Sequence, residues 1–297
     1  MTPHQLDQKT EVFEHNRPRL RGIAYRMLGS VADAEDAVQD VYLKWQKTDD
    51  GVINNPEAWL VTACTRRCID MLRAAHKTRV DYVGTWLPEP VIGDAPFDAP
   101  TDVGEQTELA SSLTMAFLLL LERLGPVERA AYLLREVFGY EYADVAFAVG
   151  RNEAACRQIV SRAKKRLEDQ QVTDPVPPER HEELLTEFME ALRSGETDRL
   201  MRLLADDVQL FADGGGKVLA TLEVIENQND VGQFLADVWE HFWSGYDFES
   251  VTVNGVPGAI LRDGDAISGT LSLTVNAQGK CSAIHVVRNP DKLSHVE

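Results

Sequence analysis

The residues of this chain best suited to chemistry lie in one short segment: Arg157, Gln158, Ser161, Arg162, Lys164 and Lys165. Arginine carries a planar fork of donors that matches paired acceptors on a base edge, glutamine both donates and accepts, and lysine supplies a point charge for phosphate. Opposite them runs an apolar stripe of Cys156, Val160, Ala163 and Leu167, so the spacing describes an amphipathic helix with one polar, basic face. A second basic set, Arg66, Arg67, Arg73 and Lys77, closes an earlier helix, and each member can neutralise a phosphate. Groups for acid–base catalysis are sparse. His241, Asp247 and His285 are candidates, and His285 alternates with apolar Ile284 and Val286 as on an inner strand, but no dyad is visible and no residue is assigned as catalytic. The cysteines Cys64, Cys68, Cys156 and Cys281 show no CxxC spacing. Cys64 and Cys68 share a helix face, yet two ligands are too few for a metal site, so they read as small core residues and no metal or cofactor is expected.

The elements that position these side chains follow from periodicity. Tyr142, Val145, Ala146 and Val149 repeat at helical spacing, Gly150 supplies a break, and Asn152 with Glu153 starts the basic helix, giving a helix-turn-helix over 141–168. At the front, Arg19 to Leu28 is a helix ended by Gly29-Ser30. Asp33 to Gln46 is a second, with Ala34, Ala37, Val38, Val41, Tyr42 and Trp45 inward and Glu35, Asp36, Gln39, Asp40 and Lys44 outward. Asn55-Pro56 starts a third that runs to about His76 and places Trp59 on its apolar side. Residues 81–104 hold Trp86-Leu87-Pro88-Glu89-Pro90, Pro96 and Pro100, and read as an extended linker. Helices at Glu105 to Leu124 and Pro126 to Phe138 precede the helix-turn-helix, and the Pro-rich stretch Thr173 to Pro178 marks the next boundary.

Beyond it the character changes. Helices are expected at Glu179 to Arg193, Asp198 to Leu204 and about Val231 to Trp243. Strands are expected at Val208 to Ala212, Val218 to Leu222, Phe248 to Val253, Ala259 to Arg262, Ala266 to Val275 and Ser282 to Arg288. Helices followed by a mainly antiparallel sheet make an α+β cone. The chain is thus multidomain: all-α modules at 1–80 and 105–172, a linker at 81–104 and an α+β cone at 173–297. Within the cone, Asp213-Gly214-Gly215-Gly216-Lys217 reads either as a hairpin turn or as a close backbone approach to the linker or to the first helical module. Asn289-Pro290-Asp291-Lys292-Leu293 follows the last strand, where a tail usually frays, though Leu293 could dock.

The net charge of -18 looks wrong for a nucleic-acid binder until it is mapped. Residues 1–80 carry 12 Lys and Arg against 11 Asp and Glu, and residues 105–170 carry 9 against 10, whereas residues 171–297 carry 9 against 22. An acidic rear half therefore adjoins balanced helical modules with local basic faces, and it could repel or mimic DNA. Met1 to Val12 lacks the apolar core of a secretory leader, and Met115 to Leu121 is far shorter than a membrane span of about 20 residues. A cytoplasmic protein with no membrane partner is expected.

Arg17-Pro-Arg-Leu-Arg-Gly-Ile-Ala-Tyr-Arg-Met-Leu-Gly, Asp33-Ala-Glu-Asp-Ala-Val-Gln-Asp-Val-Tyr-Leu-Lys-Trp and Trp59-Leu with Arg66, Asp70 and Leu72-Arg73 resemble region 2 of bacterial sigma factors of the extracytoplasmic-function (ECF) class. Leu124-Gly-Pro-Val-Glu-Arg-Ala through Leu167 resembles their region 4. The Trp86-Leu-Pro-Glu-Pro, Asp213-Gly-Gly-Gly-Lys and Asn289-Pro-Asp-Lys-Leu motifs are similar to the group with a C-terminal SnoaL-like extension. The resemblance implies two partners, core RNA polymerase and promoter DNA. It puts Asp33, Glu35, Asp36, Gln39 and Asp40 against polymerase, and the loop 47–54 with Arg66, Arg67, Arg73 and Lys77 at a single-stranded -10 element. Arg157, Gln158, Ser161, Arg162, Lys164 and Lys165 would face a -35 duplex. It further implies regulatory roles for Trp86, Pro88, Asp213, Gly214, Gly215, Gly216, Lys217, Asn289, Pro290, Asp291, Lys292 and Leu293, and room in the cone for a small apolar ligand. Two other readings stay open: a ligand-responsive DNA-binding regulator that works without polymerase, and a SnoaL-like cyclase or isomerase with a DNA-binding appendage.

Overall fold

A computed structural model describes residues 3–49, 53–78, 82–93, 112–168 and 176–296. These fall into two compact units: residues 3–78 join 112–113 and 117–168 in a helical unit, and residues 82–93 join 114–116 and 176–296 in a mixed one.

The helical unit begins with α1 (Pro3–Leu28), α2 (Val31–Lys47) and α3 (Pro56–Thr78). α1 starts well before the expected Arg19, because the polar opening stretch still delivers Lys9 and Phe13 to the core at 4% and 2% exposure. The Lys9 ammonium donates to Trp45 O at 3.2 Å and to Thr48 O, capping the last turn of α2, while Trp45 Nε1 returns a bond to Lys9 O at 2.9 Å. The two breaks behave as their residues dictate. Gly29 takes φ 68° and its N–H reaches Tyr25 O at 2.7 Å, and Ser30 Oγ then accepts from Asp33 N at 3.1 Å to start α2. Asn55 Oδ1 accepts from Ala58 N at 3.1 Å to start α3. Leu20, Ile23, Met27, Val38, Val41, Leu60, Cys64 and Cys68 form the shared core. Trp59 is only half-buried, tilted against Trp45 at 5.4 Å.

From Phe117 the same unit continues with the rest of α4 (Met115–Leu121), α5 (Pro126–Tyr132), a π-helical turn at Leu133–Val137, α6 (Tyr142–Val149) and α7 (Glu153–Glu168). The expected helix start at Glu105 lies outside the described residues. Gly150, at φ 67°, separates α6 from α7, and Asn152 Oδ1 accepts from Ala155 N at 2.8 Å to open α7.

The second unit holds α8 (Pro178–Ser194), α9 (Thr197–Leu203), β1 (Leu204–Asp213), β2 (Ile225–Glu226), α10 (Gln228–Val238) with a π turn at Trp239–Trp243, β3 (Asp247–Val253), β4 (Val256–Asp263), β5 (Ala266–Val275), β6 (Cys281–Val287) and α11 (Pro290–Leu293). The sheet order is β2-β1-β6-β5-β4-β3, with β1 and β6 parallel and the other pairs antiparallel. Side chains alternate along a strand, so Leu210, Leu271 and Ile284 turn to the helices and meet Leu184, Phe188, Val231 and Leu235 in one buried cluster.

Two expectations need correction here. Residues 218–222 form no strand: their alternation finds no neighbour to pair with, Leu219 and Leu222 stand 73% and 69% exposed, and only Ile225 and Glu226 pair with β1. Residues 82–93 are extended as their prolines require, but they are fastened. Ile92 bridges Val253, Gly93 N donates to Thr252 O at 2.9 Å, and Val91 exchanges bonds with Asn254 at 3.0 and 2.8 Å. Among the described residues no helix is long and apolar enough to cross a membrane.

Candidate nucleic-acid interface and the three-motif junction

The stripe of α7 is buried as its period requires, with Cys156, Val160, Ala163 and Leu167 at 2% exposure or less. The opposite face presents Arg157, Gln158, Ser161, Arg162, Lys164 and Lys165, all exposed, and Ile159 lies half-buried at the margin. Arg157 Nη2 lies 2.8 Å from Glu153 Oε2 one turn earlier, and its guanidinium stands 4.8 Å from the Tyr142 ring centre. Lys164 pairs with Glu136 at 3.1 Å, and Arg162 Nε donates to Gln158 O at 3.3 Å.

The basic set on α3 is differently engaged. Arg66 Nη2 donates to Phe147 O at 2.6 Å and its Nε to Ala148 O at 3.1 Å, and its guanidinium lies 5.3 Å from the Phe147 ring. The last carbonyls of a helix have no partner within it, so a cation there is doubly favoured, by hydrogen bonding and by the helix dipole. Arg66 thus caps α6. Two further contacts join the helical modules: Arg129 Nη1 donates to Met27 O at 2.6 Å, and Arg19 Nη2 donates to Phe138 O at 3.4 Å while lying over Tyr140 at 4.9 Å. Burial pushes the Tyr140 phenol up to about 12. Arg67 pairs with Asp40 at 2.8 Å and Arg73 with Asp70 at 3.5 Å, while the Lys77 side chain lies outside the described residues. On α2, Asp33, Asp36, Gln39 and Asp40 are exposed, and Glu35 is half-buried against Arg21 at 2.5 Å and Arg17 at 3.7 Å. Leu43 adds an apolar spot, 44% exposed, to this helix.

In the second unit, three motifs that lie far apart in sequence meet on one ion pair. Asp213 is fully buried at the end of β1, and its carboxylate accepts from Tyr82 OH at 2.6 Å, Leu87 N at 2.8 Å, Gly215 N at 3.0 Å and Lys292 Nζ at 2.7 Å. Lys292, 6% exposed, also donates to Leu87 O and lies 4.3 Å from the Trp86 ring and 5.1 Å from Tyr82. Its charge is thereby neutralised, hydrogen-bonded and faced with π density, the conditions under which a buried ammonium is tolerated. Asn289 Nδ2 donates to Tyr82 OH at 3.0 Å, and Asn289 Oδ1 accepts from Asp291 N at 3.1 Å, which caps α11. Burial and the Asp213 carboxylate push the Tyr82 phenol up. The tail after β6 is therefore anchored rather than frayed.

The glycines of Asp213-Gly-Gly-Gly-Lys meet demands of both conformation and space: Gly215 and Gly216 take φ 59° and 69° in a turn in which Lys217 N donates to Gly214 O at 3.0 Å. A Cβ on Gly215 would lie 2.3 Å from Asn289 Nδ2, one on Gly216 would lie 3.0 Å from Val83, and one on Gly214 would lie 2.5 Å from Val218 O. The segment makes a turn, and at Gly216 it also approaches Val83 of the 82–93 segment closely. The tail is a second neighbour, which the sequence did not indicate. Lys217 closes the outside of the junction on Asp291 at 2.5 Å.

The acid–base candidates do not converge. His241 is exposed, with Nδ1 2.8 Å from Asp237 O, and Asp247 is exposed at the start of β3. His285 faces away from the cluster that holds Ile284 and Val286. It stacks on Phe211 at 5.4 Å, its Nδ1 has no hydrogen-bond partner, and burial lowers its pKa to about 4. Its strand, β6, is an inner one as expected, lying between β1 and β5, but the imidazole does not turn toward the helix-covered interior. Cys64 and Cys68 are fully buried, the Cys68 thiol pushed up by its bond to Cys64 and by burial, and no group of three metal-ligating side chains forms among the described residues.

Residues 12–78 match the Sigma-70 region 2 family and residues 114–167 match Sigma-70 region 4. Over 294 residues the chain is 35% identical to the ECF RNA polymerase sigma factor SigJ of Mycobacterium tuberculosis, spanning 95% of this chain and 92% of that protein. The chain belongs to the ECF sigma factors. It is 28% identical to the probable ECF RNA polymerase sigma factor SigI of the same organism, over 97% of this chain and 96% of that one. The crystal structure of M. tuberculosis SigJ superposes with a TM-score of 0.74 at 32% identity, covering 96% of this sigma factor and 98% of that chain. The α+β unit is therefore part of the shared architecture, and the protein directs transcription initiation as a sigma factor.

Proposed function

We propose that this sigma factor joins core RNA polymerase through the acidic and amide face of α2, reads a -35 duplex with α7 and holds a -10 single strand with α3 and the loop 47–54. The observation that carries the reading is the six-residue polar face of α7, exposed on a helix-turn-helix whose apolar stripe is fully packed. Arg157, Gln158, Ser161 and Arg162 lie early enough on α7 to reach base edges, and Lys164 and Lys165 suit phosphates. It works in the cytoplasm, where polymerase is. No catalytic role is assigned to the α+β unit, because His241 and Asp247 are exposed whereas His285 is buried with no hydrogen-bond partner at its Nδ1.

The α+β unit is a regulator built into the chain. Elements labelled -35 and -10 lie about 25 base pairs apart, roughly 85 Å at 3.4 Å per base pair. With Arg66 bonded to the end of α6, regions 2 and 4 cannot span that distance, so polymerase and DNA must select a separated state. The segment 82–93 leaves region 2 and is tied to Asp213 and Lys292, which makes the junction the point at which the extension acts on that equilibrium. Reconstitution tests the reading. Core polymerase loaded with the chain should recover, from a randomised DNA pool, molecules sharing two separated sequence blocks. Recovery of molecules with no common block would overturn it.

A further inference from the structure

Resting on the reading of α7 as the duplex-reading helix, we propose that Tyr142 is a positioning residue for base recognition: its ring holds the Arg157 guanidinium in the orientation that contacts a purine edge. The ring stands at the first turn of α6, half-buried, with two guanidinium groups each 4.8 Å from its centre, Arg157 from α7 and Arg135 from the π turn before α6. Two cations on one ring repel each other, and each is balanced by a carboxylate: Arg157 by Glu153 at 2.8 Å and Arg135 by Glu141 at 3.3 Å. Arg135 Nη1 also donates to Tyr140 O at 3.0 Å, which fixes it to the backbone beside the ring. Glu141, Arg135, Tyr142, Arg157 and Glu153 thus form one alternating row across the start of the helix-turn-helix.

Arg157 needs this support because its side chain is long and 56% exposed, and a bidentate contact to purine N7 and O6 demands one orientation of its fork. Glu153 cannot provide it in the complex, since a carboxylate beside DNA is repelled by the phosphates and competes for the same donors. The neutral ring has neither fault. It attracts the guanidinium through its π face and leaves all five N–H groups for the base.

The test compares variants of the full chain, each as holoenzyme, on a promoter recovered by selection from a randomised -35 segment and on the same promoter with that segment scrambled. Tyr142→Leu keeps an apolar side chain and removes the π face. It should lower the preference for the selected promoter about threefold to tenfold, and leave affinity for the scrambled one and the slope of affinity against salt unchanged. Tyr142→Phe should retain the preference. In an Arg157→Ala background, Tyr142→Leu should have no further effect. The proposal falls if Tyr142→Leu keeps full preference, if it weakens both promoters equally, or if Tyr142→Phe is as poor as Tyr142→Leu, which would make the hydroxyl a backbone contact. Arg157→Ala separates the two levels. If that substitution alone leaves the preference intact, base reading by Arg157 is wrong. If it abolishes the preference while Tyr142→Leu does not, only the positioning role is lost.

Discussion

Lys292 shows at the scale of a residue how much of this structure rests on one buried charge. Among the described residues its ammonium is the only cation of the four groups bonded to the Asp213 carboxylate, and removing one partner of a buried pair leaves the other uncompensated. Lys292→Met should therefore cost the α+β unit about 3–5 kcal/mol. Lys292→Met with Asp213→Asn should cost less than the sum of the two single changes. Urea unfolding followed by fluorescence measures both. Purely additive losses would mean that the charges do not interact. His285 gives a second prediction, with its sign fixed by burial. Its folded pKa is lowered to about 4 from 6.5, so between those values the unfolded chain binds the extra proton. The stability His285 contributes is complete above about pH 6.5 and is lost as pH falls towards 4, at about 1.4 kcal/mol per unit. His181, also lowered by burial, acts in the same direction. The decisive comparison is therefore with His285→Phe, which should flatten the pH dependence. An unchanged slope would show that His285 is not the group being protonated.

Between elements, Arg66 has two competing uses. As a phosphate contact it needs only charge, whereas as the cap of α6 it needs its fork, because two different N–H groups reach two successive carbonyls. Arg66→Lys should keep the salt dependence of binding to a -10 single strand and speed amide exchange in the last turn of α6. Unchanged exchange would remove the cap from the account. The contrast marks where sequence was informative. Helix periods, and the breaks at Gly29-Ser30, Asn55-Pro56 and Gly150, were legible because each is a local matter of backbone conformation and capping. The partners of Arg66 lie 81 and 82 residues away, and nothing near Phe147 or Ala148 announces them. The same holds for Lys292, which reads as a tail lysine until Leu87 and Asp213 are brought to it across 205 and 79 residues. The strand expected at 218–222 failed for the complementary reason: alternation licenses a strand only where a neighbouring edge exists to receive it, and Leu219 and Leu222 have none.

For the whole molecule, the uneven charge and the closed helical unit point the same way. The rear half carries 22 acidic against 9 basic residues, while the basic face of α7 stays exposed. On the proposed reading, free duplex binding is opposed by the acidic extension and becomes productive once polymerase has separated regions 2 and 4. In that reading electrostatics supplies affinity, the early residues of α7 supply sequence preference, and the junction at Asp213 sets how readily the 82–93 segment yields. The most direct measurement is run-off transcription from a promoter recovered by the holoenzyme, with core polymerase alone and the chain alone as the other two reactions. The account predicts a transcript of one defined length only when both are present, and its loss when either the -35 or the -10 block is scrambled. No transcript, or initiation indifferent to both blocks, would contradict it.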